Sequence, residues 1–408
     1  MKLTVKKKAL IPEQILTAIF LLYIEWYKEI WGDRPIVLYG IVALLTGCVI
    51  VRLICDGYLS VWKMPPLLKM YIVYFVYSLL GVFVAKDVNA LISSVITYGC
   101  FTIVCFDCWY ISSKQQDDSW IYRILKIVAV ICAVQVIFFG KPYYNGIEVT
   151  TMGVNNNPNT LGLVLVMGTL SFTIDMKLEK KFTFFVAMAA NIMMLYGIIL
   201  TGSRKCLLVS IPIILYWLFF YVKTMLKERR YKKLIIAITV IVIVVYGCIA
   251  YVGRDFQNSA AFERMTQLFA EGGTDTRAGL YRDAFEYFKT SPIIGIGFNQ
   301  YRQWSPHGYY SHSSYAEILS CGGLIGVLIF FVPLFKCLYT CILQSFKKYS
   351  PEQMYRMRMV ALMLLCELFL GIGQIFVYDI LHMLVLMLIS MEASKQIYVS
   401  GRAEKALP

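Results

Sequence analysis

Stretches of about 20 mostly apolar residues recur along the whole chain, and they constrain its fold more than any other feature. A helix needs about 20 such residues to cross the hydrocarbon core of a membrane. Of the 408 residues, 59% are hydrophobic and only 16% are charged. A soluble domain carries about 25% charged residues, and a disordered chain is more polar still. The sequence therefore predicts an all-α polytopic membrane protein.

We predict about twelve transmembrane helices in three regions of the chain. Residues 1–252 hold helices one to nine, residues 253–313 form a long, partly helical extracytoplasmic loop, and residues 314–408 hold helices ten to twelve and a cytoplasmic tail. The last two spans could instead form one re-entrant pair. The predicted spans are 9–27, 36–54, 68–86, 89–111, 121–140, 159–176, 183–201, 205–222, 234–252, 314–335, 359–377 and 379–394.

Basic residues orient these spans. The chain has 39 Lys and Arg and a net charge of +14. With the N-terminus in the cytoplasm, most of them fall on the cytoplasmic side, as the positive-inside rule requires. The segment from Lys223 to Lys233 is the strongest anchor. This distribution predicts that both termini are cytoplasmic, and it argues against a nucleic-acid partner, which would need one basic stripe.

The N-terminus and the cysteines each have a structural interpretation. The basic start and apolar stretch resemble a signal peptide, but no small-x-small cleavage site follows, so we predict an uncleaved first span. Nearly all of the 12 cysteines lie in apolar runs. Cys105 and Cys108 form a C-x-x-C inside a predicted membrane helix, so we interpret them as packing residues. The sequence predicts neither a metal site nor a cofactor.

The long outer loop contains an amphipathic stretch from Thr276 to Pro292. Its apolar residues recur at helical spacing, which predicts a helix ended by the proline. Arg277 and Arg282 lie on this helix. Exposed arginines of this kind usually belong to a solvated face, and these two become functional candidates only if the helix folds back over Arg204.

His312 and Arg204 are the first candidates for chemistry. His312 is predicted to lie on the outer side of the membrane, where the tenth span begins. It could act as a general base, or it could belong to an interfacial belt of tyrosines. Arg204 and Lys205 lie in a loop of a few residues at the outer membrane face. They are suited to a lipid phosphate, or they anchor the loop by snorkelling.

Amides and buried polar groups give further candidates. Asn157 and Asn159 start the sixth span from outside, where they could hydrogen-bond a sugar or cap the helix. Polar groups inside spans are functional candidates or interhelical hydrogen-bond partners. Six residues of this kind are Asp107, Gln135, Asn191, Glu367, Gln374 and His382.

Four sequence elements together resemble the O-antigen ligase and polymerase superfamily. They are H-S-x9-G-x-x-G at residues 312–326, T-G-S-R at 201–204, the R-x-x-L-Y-x-x-A and P-x-x-G-x-G-F patterns within 276–301, and N-P-N-T-L-G at 157–162. They occur in the order that the family has. The residue after His312 is serine where the family more often has asparagine. The first half of the chain resembles the family only in hydropathy.

The resemblance implies a metal-independent glycosyltransferase with an undecaprenyl-diphosphate-linked oligosaccharide as donor. Arg204 and Arg277 would stabilise the departing diphosphate, and His312 would orient or deprotonate the acceptor hydroxyl. Lys205 and Arg282 would assist in binding. Five aromatic residues could stack on sugars or could anchor the loop at the interface: Tyr281, Tyr301, Trp304, Tyr309 and Tyr310.

Three activities remain open at this point. The resemblance favours polymerisation of O-antigen or capsule repeat units, with a flippase and a chain-length regulator as partners, in a bacterial plasma membrane. A ligase would use the same chemistry on a lipid or protein acceptor. A secondary transporter or lipid-linked sugar flippase belongs to another class, and it would instead depend on groups such as Asp107 and Glu367.

Overall fold

The computed structural model describes most of the chain, and helix is its dominant structure. No strand occurs within the described residues, which are 11–28, 34–56, 63–139, 158–174, 181–231, 235, 239, 277–306, 308–346 and 350–405. The helices are α1 (Ile11–Leu22), α2 (Pro35–Asp56), α3 (Pro66–Leu79), α4 (Val88–Gln115), α5 (Ser119–Phe139), α6 (Pro158–Ile174), α7 (Lys181–Thr201), α8 (Arg204–Lys227), α9 (Arg277–Thr290), α10 (Tyr301–Trp304), α11 (Ser314–Ser345), α12 (Pro351–Leu370) and α13 (Ile380–Lys405).

The predicted all-α membrane class is confirmed by these helices. Seven stretches of the described chain are long and apolar enough to cross a membrane, and Asn159–Ile174 is a shorter apolar helix. The total of about twelve spans stays a prediction. The predicted ninth span and residues 253–276 of the long loop lie outside the described residues. The seven stretches are Pro35–Cys55, Pro66–Phe83, Val88–Gln115, Ser119–Phe139, Phe184–Thr201, Arg204–Lys227 and Ser314–Ser345.

The helices divide into two compact units. The larger unit comprises Met1–Phe20, Arg34–Ile121 and Asp275–Pro408, and the smaller comprises Leu21–Asp33 and Tyr122–Thr274. In the larger unit, α11 packs against α3, α9 and α12, while α13 contacts α4 and α12. In the smaller unit, α6, α7 and α8 all pack against one another. The candidate residues are therefore shared between the two units, with His312 in the larger and Arg204 in the smaller.

Local sequence explains where several helices begin and bend. Asp87 caps α4 by accepting a hydrogen bond from the Ala90 N–H, and Ser350 with Gln353 forms a capping box at the start of α12. Pro66 and Pro351 occupy first-turn positions, where a missing N–H has no consequence. Helix α11 is interrupted by a non-helical residue at Gly323.

Polar side chains buried in the larger unit join neighbouring helices. Asp107 accepts a 3.0 Å hydrogen bond from the Thr46 hydroxyl. Glu367 contacts His382 Nδ1 at 2.6 Å, and the Gln374 side chain contacts His382 Nε2 at 3.1 Å. These contacts are those expected of interhelical hydrogen-bond partners, which is the structural alternative that the sequence left open for these residues.

Candidate active site

His312 lies on a turn with an unusual backbone conformation. Its φ angle is +56°, in the left-handed region that few residues other than glycine adopt. The half-buried imidazole ring lies 4.3 Å from the Tyr310 ring, measured between centroids. The two rings are tilted by 52°, and the Arg302 guanidinium lies 4.8 Å from the centroid of the Tyr310 ring. Strained residues of this kind occur often at functional sites, so the turn is the centre of the candidate site.

A buried carboxylate holds this turn in place. Glu317, in the first turn of α11, is only 1% exposed. One carboxylate oxygen accepts the Ser311 N–H at 2.9 Å, and the other accepts the Tyr378 hydroxyl at 3.0 Å. The Ser311 hydroxyl in turn donates to the Ser313 carbonyl at 3.0 Å. These bonds fix the residues on both sides of His312, and so they orient the imidazole without touching it.

The segment between α12 and α13 closes the other side of the turn. The Ser314 N–H donates to the Gly371 and Gln374 carbonyls, at 2.8 and 3.0 Å. The Ser314 hydroxyl donates to the same Gln374 carbonyl and accepts the Phe376 N–H. We call residues 371–379 the docking segment. It satisfies backbone groups at the start of α11 that a helix end otherwise leaves unpaired.

Two glycine motifs of the sequence interlock next to this turn. Gly323 has φ +58° and ψ −163°, a conformation essentially restricted to glycine. A Cβ on Gly323 would lie 2.5 Å from the Gly295 nitrogen, and one on Gly295 (φ +72°) would lie 2.4 Å from the Cys321 carbonyl. Hydrogen bonds join the Ile296 N–H to the Ser320 carbonyl and the Leu324 N–H to the Pro292 carbonyl. The P-x-x-G-x-G loop is therefore the neighbour for which Gly323 makes room.

Helix α9 has the bounds that its apolar spacing predicted, and it packs on this loop. The core below it consists of Ala284, Ile296, Tyr301 and Cys321, with Trp304 packed at its edge. Arg277 is the first residue of the helix, and Arg282 is exposed. The side chain of Arg277 lies outside the described structure.

The five aromatic candidates have different surroundings. Tyr301 is 0% exposed, its hydroxyl donates to the Leu280 carbonyl at 2.8 Å, and burial raises its pKa. Tyr281 donates to the Ile372 carbonyl of the docking segment at 2.8 Å. Tyr309 is 64% exposed, and the Tyr310 ring contacts the His312 ring. Trp304 is partly buried. Tyr309 and Tyr310 thus have accessible ring surface beside His312, whereas Tyr301 contributes to packing.

Arg204 begins helix α8 in the smaller unit, where two further motifs meet. The Ser203 hydroxyl donates to the Asn159 side-chain oxygen at 2.9 Å, and the Cys206 thiol lies 3.7 Å from the Asn159 carbonyl. A Cβ on Gly162 would lie 2.9 Å from the Cys206 sulfur. The N-x-x-G segment therefore packs directly on T-G-S-R. Arg204 and Lys205 are half-buried at this junction, and Asn157 lies outside the described residues.

The contact between these two motifs can be tested by a double-mutant cycle on thermal unfolding. Ser203→Ala and Asn159→Ala each remove one side of the hydrogen bond, so we expect a coupling energy of about 1 kcal/mol. Ser210→Ala is the control, because the Ser210 hydroxyl donates to the Cys206 carbonyl of its own helix. Its effect should add to that of Asn159→Ala. Additivity of the first pair would contradict the proposed contact.

Three site residues were missed by the sequence analysis, namely Arg302, Glu317 and Tyr378. Glu317 carried a usable signal, because a carboxylate at the fourth residue of an apolar span is costly unless it has partners. Arg302 follows Tyr301 in a polar stretch and carried no such signal. Tyr378 lies in a separate segment, so only the folded chain brings it to Glu317.

Replacing Glu317 by leucine is expected to destabilise the protein by about 2–4 kcal/mol. The change leaves the Ser311 N–H and the Tyr378 hydroxyl without their acceptor, and each buried unpaired donor costs about 1–3 kcal/mol. The measurement is thermal unfolding of the purified protein. Glu286→Leu on α9 is the matched control, because Glu286 is exposed and pairs with Lys289 of the same helix. Equal melting temperatures for the two variants would contradict the role given to Glu317.

Taken together, the fold and site define an integral membrane protein of helices with a histidine turn at the start of one long helix. Among the described residues, no group of three or more His, Cys, Asp or Glu is placed to hold a metal ion.

Comparison with known protein families supports the resemblance over part of the chain. Residues 189–331 match the family model described as O-antigen ligase. The resemblance to the O-antigen ligase and polymerase superfamily is thus confirmed over a region that includes Arg204, Arg277 and His312. The match indicates a ligase or polymerase activity of the glycosyltransferase type on lipid-linked oligosaccharide.

Two other comparisons complete this picture. A search of curated proteins finds no match. Among solved structures, the chain is similar to a chain from the work described as "Structural coordination of polymerization and crosslinking by a peptidoglycan synthase complex". That likeness has 11% sequence identity and a TM-score of 0.38, and it covers 86% of this chain and 100% of the other.

Proposed function

We propose that the protein polymerises a bacterial surface polysaccharide in the plasma membrane. In this reaction, glycan is transferred from undecaprenyl diphosphate to a hydroxyl of the next lipid-linked repeat unit. The observation that carries the proposal is the turn at His312, whose backbone has a positive φ angle. This turn lies within the segment similar to O-antigen ligase. A polymerase needs no acceptor other than a second copy of its donor.

In the proposed reaction, the acceptor forms one bond and the donor breaks one bond. The acceptor oxygen forms a bond to the anomeric carbon of the donor glycan, and the bond from that carbon to the diphosphate oxygen breaks. The acceptor proton passes to His312, and the bonding electrons leave with the undecaprenyl diphosphate. A positioned histidine accelerates such a transfer by about 10²–10⁴-fold.

The basic residues supply the charge that the leaving group requires. Arg204 and Arg277 stabilise the diphosphate as its negative charge grows, and Lys205 and Arg282 bind its oxygens. Because these cations can perform that task, the reaction is proposed to be independent of a metal ion. We add Arg302 to this set, since its guanidinium lies over the ring of Tyr310, which contacts His312.

Sugar contacts are assigned to side chains with accessible surface. Tyr309 and Tyr310 precede His312 by three and two residues and keep exposed surface, and Tyr281 and Trp304 lie on α9 and α10, which both pack against α11. Asn157 and Asn159 are proposed to bind sugar hydroxyls. Tyr301 is left out of this set, because its ring is enclosed in the core below α9.

The proposal is tested by reconstitution. The purified protein is placed in liposomes with undecaprenyl diphosphate oligosaccharide from its own host, without added metal, and the products are separated on a gel. A ladder of evenly spaced bands supports a polymerase. Transfer of a single glycan, seen only with an added lipid or protein acceptor, would make the protein a ligase.

A third outcome would overturn the transferase altogether. If no glycan is transferred but lipid-linked sugar crosses the bilayer, the protein is a transporter. Activity would then depend on Asp107 and Glu367, whose variants should leave a transferase active as long as they fold.

A further inference from the structure

A groove in the larger unit lies far from His312 and is not used by the proposed reaction. It has a volume of about 540 Å³ and is lined by α3, α11 and α13. Met70, Val73, Leu328 and Val332 form part of its apolar wall, and the last two of these are over half exposed, at 60% and 54%. This volume is in the range of small-molecule sites. An apolar groove open at the surface of membrane helices suits a hydrocarbon chain.

Two lysines give the groove a positive charge. Lys69 and Lys336 both line it, and both are exposed. No carboxylate within the described residues pairs with either of them. The acidic residue on the adjoining part of α13, Glu392, pairs with Arg356 and Lys395. The groove therefore carries two cations whose charge the neighbouring helices leave uncompensated.

The start of helix α3 offers further support for an anion in the groove. Pro66 lines the groove at the first residue of α3, so the positive end of that helix dipole faces the same region. The Thr340 and Ser394 hydroxyls also line it, but they donate to the Lys336 and Ser390 carbonyls of their own helices. The two ammonium groups are therefore the charged hydrogen-bond donors of the groove lining.

The lysines lie at the end of the helices opposite to His312. Lys336 lies 13 residues beyond the break at Gly323, about 20 Å along the second part of α11 at 1.5 Å per residue. Lys69 is in the first turn of α3, whose other end reaches the site through hydrogen bonds from the Tyr77 hydroxyl to the Ile294 and Gly322 carbonyls. In the predicted topology, the third span begins and the tenth span ends on the cytoplasmic side. This topology places both lysines near the headgroups of the leaflet opposite to His312.

The geometry points to a binding site for an anionic phospholipid in that leaflet. Its phosphate pairs with Lys69 and Lys336, and one acyl chain lies along the apolar wall formed by α3 and α11. The net charge of the headgroup distinguishes anionic from zwitterionic lipids at this site. A headgroup with net negative charge compensates two lysines, whereas a zwitterionic headgroup brings its own cation. Basic pockets between membrane helices recognise anionic lipids in this way.

Native mass spectrometry of the full-length protein tests this site. The protein is delipidated and titrated with phosphatidylglycerol or with phosphatidylcholine, and bound lipid is counted. We expect one phosphatidylglycerol to bind more tightly than any phosphatidylcholine. Lys69→Gln with Lys336→Gln should weaken that binding roughly 30-fold, given about a factor of five for each lysine. Val332→Trp fills the groove without changing the charge and should also remove the bound lipid.

Matched variants separate this site from general charge attraction. Lys63→Gln with Lys227→Gln removes two exposed lysines that do not line the groove. That pair should keep the tight phosphatidylglycerol. The inference is overturned if both pairs lose lipid equally, if phosphatidylcholine binds as tightly, or if undecaprenyl phosphate or inorganic phosphate displaces the lipid at equal concentration. Melting temperatures of all variants show that they are folded.

Discussion

Replacing His312 by alanine is expected to lower the rate of glycan transfer by about 10²–10⁴-fold, because the acceptor hydroxyl loses its general base. The ladder of products in the reconstituted system should disappear or shrink to its first bands. The protein should still fold, since Ser311, Ser313 and Glu317 keep the hydrogen bonds that form the turn. We therefore expect His312→Ala to lower the rate of glycan transfer while the melting temperature stays close to that of the original protein.

Two controls make the His312 result specific. His307→Ala removes a histidine five positions earlier and should leave the ladder intact. Added imidazole should restore part of the activity of His312→Ala, since a small base can occupy the vacated volume. A full ladder from His312→Ala, or equal losses from both histidine variants, would contradict a role for His312 in proton transfer.

Replacing Gly323 by alanine is expected to prevent stable folding of the larger unit. The backbone conformation alone costs a residue with a side chain about 1–3 kcal/mol, and the added methyl group would lie 2.5 Å from the Gly295 nitrogen. Backbone atoms cannot move aside as a side chain can, so overpacking adds about 1–3 kcal/mol. The measurement is the yield of monodisperse protein and its thermal unfolding.

The matched control for this variant lies one helical turn further along α11. Gly326 belongs to the same sequence motif, but a Cβ there would lie 3.5 Å from the Tyr77 ring, an ordinary van der Waals distance. Gly326→Ala should therefore unfold within about 1 kcal/mol of the original protein. If the two variants are equally stable, the interlock with the Pro292–Gly297 loop is wrong.

The helices themselves were predictable because the hydrocarbon core imposes a length and a composition. The spacing in Thr276–Pro292 also gave helix α9, with its end near the proline. What the sequence could not give is which motifs touch. Gly323 packs on the Pro292–Gly297 loop, which backbone hydrogen bonds join to α11, and such bonds do not depend on a pattern of side chains. Gly322 and Gly326 instead face Tyr74 and Tyr77 of α3.

The candidate site was predictable only in part, for a related reason. His312 was proposed because a histidine at the start of an apolar span is unusual in a chain with three histidines. Glu317 and Tyr378 act on it through the backbone of Ser311, and such indirect contacts have no fixed sequence spacing. Asn159 shows the same limit, since its partner Ser203 is 44 positions away in the chain.

The docking segment determines when the candidate site is completed during synthesis of the chain. Residues 371–379 are synthesised after the whole of α11, yet they satisfy the Ser314 backbone and hold Glu317 through Tyr378. A nascent chain that has inserted α11 into the membrane therefore has its histidine in sequence but without a fixed orientation. The site matures only when translation has passed Tyr378, so a chain halted before that residue would be inserted and inert.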